Sequence, residues 1–393
     1  MNGVKTLLDY DQIFIMKIVF LLPRFHPNMN SLVNSILDLN HEVSMIVAYE
    51  DVNEDHSRVT PTVISLLKQK SSPTKIPIIN PVKLFRLLKF YNADLIIFRA
   101  DRNKFTIFAI LGLFFFRRRI VVYDQYKISN NNRWIQLYIK IRDFILKPKF
   151  DLTPVWDRQL NQSAGANLIS ESIDEFQSRV NKQLNHHDKQ RFWMPFGIER
   201  SNYISKLSWA DRPIDILISA KLVKRKNMIE IIQQFQKLQN QIDKPLKITL
   251  ALIRRKNKND ELYLQLLNKE ISKLSDSIEI SINFNISPAV MPEYFMNSKI
   301  FVLISDSEPA SYSNIQAAAA GCYIYLSKSN GTSFQHPNNK QVINFLEVSS
   351  LSQEINNIIK IKSENMTLLE EFRKTFIDSY DSEQLAKRLI SLA

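Results

Sequence analysis

At 393 residues with 45% hydrophobic side chains the chain can bury two or three cores, and its single cysteine, Cys322, excludes an internal disulfide framework. A formal net charge of +13 favours anionic partners, yet no nucleic-acid motif accompanies it. The six glycines write neither GxGxxG nor GxxxxGKS/T and the six histidines write no HExxH, so dinucleotide, P-loop NTPase and structural zinc readings lack their fingerprints.

Residues 1–16 contain Asp9 and Asp11 and no small-residue cleavage site. That argues against a secretory signal and leaves 1–15 as an extension or a misassigned start. Residues 17–22 (KIVFLL) predict a buried strand, 23–28 a loop carrying His26, and 30–39 a helix. Further strands are expected at 41–47, 93–98 and 120–123, the last ending on Asp124. A loop and helix over 77–91 and a strongly apolar helix over 105–116 separate them. The apolar helix is far short of the roughly 20 residues that span a bilayer. It is either a sheet-covering helix or a membrane-docking surface, the second aided by basic clusters at 117–119, 140–142 and 254–258. Segment 151–190 reads as polar and helical.

The second half repeats the βα alternation, which predicts doubly wound parallel sheets. Residues 214–220 (IDILISA) predict a strand, 221–227 a basic turn, and 228–238 an amphipathic helix. Lysines at a strand end, ahead of a helix N-terminus, suit an anion; a solvated basic turn is the plain alternative. Residues 300–304 predict another strand, leading into a polar loop with Asp306 and Glu308. A small-residue helix over 315–320, stopped by Gly321, and a strand over 322–326 complete the unit. Ligands of such sheets sit at the carboxyl ends of strands, so Glu308 and Gln316 are expected on opposite sides of one crevice. Cys322 falls in a buried strand and reads as an inert core thiol. Residues 381–392 predict a capped helix.

Three segments in series carry a resemblance. Ser305, Glu308-Pro309-Ala310-Ser311 and Gln316-Ala317-Ala318-Ala319-Ala320-Gly321 stand where a serine, a Glu-Pro-Phe-Gly and a Glu-Ala-x-Ala-x-Gly helix stand in glycosyltransferase family 4 (group 1) of the GT-B type. Lys221 and Lys226 resemble the Arg and Lys of its Gly-Arg-Leu-x-x-x-Lys-Gly element. Residues 193–199 (WMPFGIE) resemble its Ile-Pro-Asn-Gly-Val-Asp hinge. Ala310, Ser311 and Gln316 depart from the pattern.

The resemblance implies an α/β, GT-B fold: two doubly wound parallel-sheet (Rossmann-like) domains facing across a cleft. Residues 1–197 would face the acceptor, 198–375 would bind the nucleotide-sugar, and 376–393 would form a helix returning to the first domain. The implied reaction is transfer of a sugar from a nucleoside diphosphate sugar to a glycan or lipid-linked acceptor, with retention. No metal and no cofactor beyond the nucleotide-sugar co-substrate is expected. Lys221 and Lys226 would bind the diphosphate, Glu308 the sugar and Gln316 the ribose, with the backbone of Ala310, Ser311 and Tyr312 also meeting the donor. His26 and Asp124 are the acceptor-side candidates. The resemblance further implies a cytoplasmic protein, or one held peripherally at the inner face of an anionic membrane, with no nucleic-acid partner. A catalytically impaired binding or partner protein and a nucleotide-sugar epimerase share the architecture and remain open.

Overall fold

The computed structural model describes residues 15–25, 27–50, 58–65, 78–100, 104–116, 119–123, 133–153, 191–204, 207–242, 244–255, 257–306, 308, 311–327, 330, 343–359 and 366–393. The first sheet holds β1 (Lys17–Leu22), β2 (Glu42–Val47), β3 (Thr62–Val63), β4 (Leu95–Arg99), β5 (Ile120–Tyr123), β6 (Phe150–Thr153) and β7 (Arg191–Trp193). They pair in parallel in the order β3-β2-β1-β4-β5-β6-β7. The second sheet holds β8 (Ile214–Lys221), β9 (Leu246–Ile253), β10 (Ile278–Phe284), β11 (Ser298–Leu303), β12 (Tyr323–Ser327) and β13 (Ile343–Leu346), parallel in the order β10-β9-β8-β11-β12-β13.

Central strands such as β1 and β12 are continuous apolar runs because helices cover both faces of a parallel sheet. In the first domain α1 (Asn30–Asp38) joins β1 to β2, whereas α2 (Pro81–Tyr91), α3 (Lys104–Leu113) and α4 (Arg133–Leu146) lead successively into β4, β5 and β6. These two groups step in opposite directions along the sheet. Right-handed crossovers therefore put α1 on one face and α2, α3 and α4 on the other. The alternating residues of β1 agree: Ile18, Phe20 and Leu22 join the core beneath α1, while Val19 and Leu21 join Leu84, Leu88 and Phe105.

The second domain adds α5 (Met228–Leu238), α6 (Lys258–Ile271), α7 (Met291–Met296), α8 (Tyr312–Ala319) and α9 (Leu351–Ile359), then α10 (Met366–Tyr380) and α11 (Ser382–Leu392). Asp381 caps α11 by accepting from the Glu383 amide at 2.8 Å. Helix α11 packs on α1, and Ser35 Oγ donates to Ser382 Oγ at 2.8 Å. Backbone bonds from Ile198 to the Tyr380 carbonyl and from Ser382 to the Ile198 carbonyl, both 2.9 Å, tie this helix to the hinge.

Some elements differ from the sequence expectation. The small-residue helix begins at Tyr312, three positions early, because its polar first turn reads as loop. Segment 151–190 was expected to be helical from its start, but Asp151 lies within β6. Its charge disguises the strand, and Arg142 lies beside it at 3.5 Å. The remainder of that segment up to 190 lies outside the described residues. The apolar run from 105 is helical to Leu113 and closes in a 3-10 turn, Phe114–Phe116.

Candidate functional site

Strand order reverses direction at β8 and β11, so the loops leaving their carboxyl ends lie side by side. After β8, Lys224–Lys226 form a single 3-10 turn that ends on Asn227 in the left-handed region, φ 52°. Asparagine tolerates that conformation better than other side-chained residues. The turn is pinned to the loop after β11. Ser305 Oγ and the Asp306 amide both donate to the Arg225 carbonyl at 3.0 Å, and Asn227 Nδ2 donates to Asp306 Oδ1 at 2.9 Å.

These bonds fix two charged side chains against each other. Lys226, buried, donates from Nζ to Glu308 Oε2, and Arg225 reaches the same oxygen at 3.5 Å. Burial pulls the Lys226 ammonium below the ordinary lysine value, and Glu308 opposes that pull. Lys221, the last residue of β8, is held down by burial first and then by Arg24, Arg255 and Arg225, with only Glu308 acting in the other direction. The result is a cluster of positive charge around one carboxylate, with the N-terminus of α8 nearby. An anion would relieve it.

The opposite wall is polar. Gln316, on α8, donates from Nε2 to the Tyr203 hydroxyl at 2.9 Å, and both side chains are buried. Burial pushes the Tyr203 phenol well above its usual range, so it stays protonated. Tyr312 Oη and Ser31 Oγ share a hydrogen bond at 3.2 Å across the two domains; burial raises the Tyr312 phenol to about 12. Beside them Asn34 donates to Glu199 at 2.7 Å. A cleft of about 510 Å³ runs between the domains over these groups, lined by Lys221, Lys226, Glu308, Ser311, Tyr312 and Gln316 together. It is of the size that small-molecule sites occupy.

The far end of α8 is anchored by guanidinium groups. Arg212, buried, donates to the carbonyls of Ala320 at 2.7 Å, Ser298 at 2.8 Å and Gly321 at 3.1 Å. Arg373 donates from Nε to the Ala319 carbonyl at 3.0 Å, and from Nη2 to the carbonyl of Tyr203. Cations at a helix C-terminus satisfy carbonyls that have no partner within the helix. They also hold fixed the helix that carries Gln316.

His26, Asp124 and Ala310 lie outside the described residues. Tyr203 and Arg212 carried no sequence signal: each sits in a polar stretch with no periodicity and meets its partner across more than 100 residues. Glu199 could have been found, since it holds the acidic place in the hinge segment.

Residues 199–375 match the family model described as glycosyl transferases group 1. No curated protein sequence matches the chain. Among solved structures, HepE from Anabaena in complex with UDP and glucose is similar at 12% identity and TM-score 0.66, over 96% of this chain and 98% of that one. Sucrose-phosphate synthase from Thermosynechococcus elongatus is similar at 14% identity and TM-score 0.62, over 96% and 98%. An alpha,alpha-trehalose 6-phosphate synthase from Burkholderia multivorans is similar at 10% identity and TM-score 0.61, again over 96% and 98%. The chain therefore has the GT-B fold, and its residues 199–375 match a glycosyl transferase group 1 domain.

Proposed function

We propose that the protein transfers a sugar from a nucleoside diphosphate sugar to a glycan or lipid-linked acceptor, with retention at the sugar and without a metal ion. The observation that carries this reading is the cation cluster of Lys221, Arg225 and Lys226 around Glu308, set in the interdomain cleft. When the bond to the sugar breaks, negative charge grows on the leaving diphosphate. Preorganised ammonium groups and the α8 N-terminus oppose that charge without reorganising, which is the role a divalent ion plays in other transferases. Glu308, held by Lys226, lies in place to accept hydrogen bonds from sugar hydroxyls. Gln316 gives its amide hydrogen to Tyr203, which leaves its carbonyl oxygen for a ribose hydroxyl. The structures similar to this one that hold UDP with glucose, or UDP-glucose, make a uridine donor the first to try.

A second reading is a nucleotide-sugar-binding member without turnover. Gln316 favours it, because a neutral amide holds ribose less firmly than a carboxylate. Thermal shift and donor hydrolysis over a panel of UDP-, GDP- and TDP-sugars test both. Binding with release of free sugar supports the transferase, binding without consumption supports the second reading, and no binding to any donor removes both.

A further inference from the structure

Helices α2, α3 and α4 form one layer over the first sheet, and each buries one side in its core through Leu84, Leu88, Phe105, Ala109 and Leu146. The outward side is not polar. Phe90, Ile107, Leu111, Phe115, Ile141 and Phe144 are all exposed, Phe115 at 73% and Phe144 at 79%. Phe115 packs edge-on against Phe85 of α2 at 5.4 Å, so the apolar surface is continuous from one helix to the next. An apolar layer of that kind marks a docking surface.

Its charges identify the occupant. Lys83, Arg86, Lys89, Lys104 and Lys140 are exposed on the same three helices. The single carboxylate these helices carry, Asp143, accepts from Arg142 at 2.8 Å. A second copy of the chain docking by two-fold symmetry would set cations against cations. Anionic headgroups would instead neutralise them while the aromatic rings enter the acyl boundary. Among the described residues no helix is long and apolar enough to cross a membrane, so the contact is with one surface.

From this pairing of exposed rings and exposed cations we propose that the α2–α3–α4 layer docks the protein onto an anionic lipid bilayer. The proposal does not depend on the sugar-transfer reading.

Co-sedimentation of the full chain with phosphatidylcholine vesicles, with and without phosphatidylglycerol, tests it. The expected result is pelleting only with phosphatidylglycerol, released by added salt. Phe115→Asp with Phe144→Asp should lower the bound fraction about tenfold, and Lys104→Glu with Lys140→Glu should weaken binding while leaving those rings intact. These side chains are exposed, so circular dichroism and donor-induced thermal shift should match wild type. No pelleting, pelleting indifferent to lipid charge, or full pelleting by both variants would overturn the proposal. So would sedimentation velocity without lipid showing a wild-type dimer that Phe115→Asp with Phe144→Asp converts to monomer, since the layer would then be an interface between copies.

Discussion

Gln316 Nε2 points at the Tyr203 hydroxyl across 2.9 Å, and Arg373 in turn holds the backbone carbonyl of Tyr203. The amide's orientation is therefore set by a residue in the hinge turn and not by its own helix. Tyr203→Phe should leave a buried amide hydrogen without its partner, cost about 1–3 kcal/mol of stability, and weaken donor binding. Gln316→Glu should keep or raise turnover with Tyr203 present, because the phenol can reverse its bond and donate. That gain should vanish in the Tyr203→Phe background. A double-mutant cycle on donor Kd and kcat checks it, and additive effects would show that the two side chains act separately.

Glu308→Gln should abolish transfer while the fold persists. A neutral amide no longer opposes Lys226 and no longer accepts two strong hydrogen bonds. Circular dichroism beside a donor-consumption assay separates loss of chemistry from loss of fold.

Lys226→Ala should weaken nucleotide-sugar binding by about 1.5–3 kcal/mol, the range for a hydrogen bond to a charged group. Lys224→Ala is the control, since Lys224 is exposed two residues away in the same turn. Equal small effects from both in a calorimetric titration would remove Lys226 from the diphosphate site.

Lys221 gives a pH dependence with a definite sign. Its free-state pKa lies below the ordinary lysine value, through burial and three neighbouring guanidiniums. Only the ammonium attracts a diphosphate, so donor affinity should fall with rising pH before an unperturbed lysine would begin to titrate. A bound diphosphate raises that pKa again, so binding should take up protons in this alkaline window. Titrations in two buffers of different ionisation enthalpy measure the uptake, and Lys221→Arg should reduce it while keeping the charge, leaving the share of Lys226, which burial also lowers.

Gly197→Val should loosen the join between the domains. A Cβ there meets Ser382 Cβ at 2.9 Å and Ser382 Cα at 3.0 Å, so the backbone of α11 must move. The expected cost is about 1–3 kcal/mol, read as a lower Tm with increased protease cleavage near the hinge.

What the sequence made legible follows from physical contrast. The apolar runs of β1, β8 and β11 stand out because both their faces are buried, and the amphipathic face of α5 stands out against its polar one. β3 has two residues and β6 contains Asp151, so neither gives a period to read. The cleft lysines and Glu308 were legible because each lies at or within five residues of a strand end, and Gln316 because its helix resembles the family's. Tyr203 was not, because what matters there is a contact across 113 residues. Asn40, Asn92, Asn227 and Asn285 all hold positive φ, so asparagine supplies the left-handed turns elsewhere given to glycine. Asn227 in particular preserves the turn that presents Lys226.

The Ser35–Ser382 bond joins residues 347 positions apart. On the ribosome, α1 therefore emerges long before the helix that will cover it. Throughout that interval the face of α1 that carries Ser35 lacks its cover, and the nascent first domain offers that flank to chaperones or to neighbouring chains. A stop codon just before α11 would thus be felt at the opposite end of the polypeptide, where α1 would lose its cover.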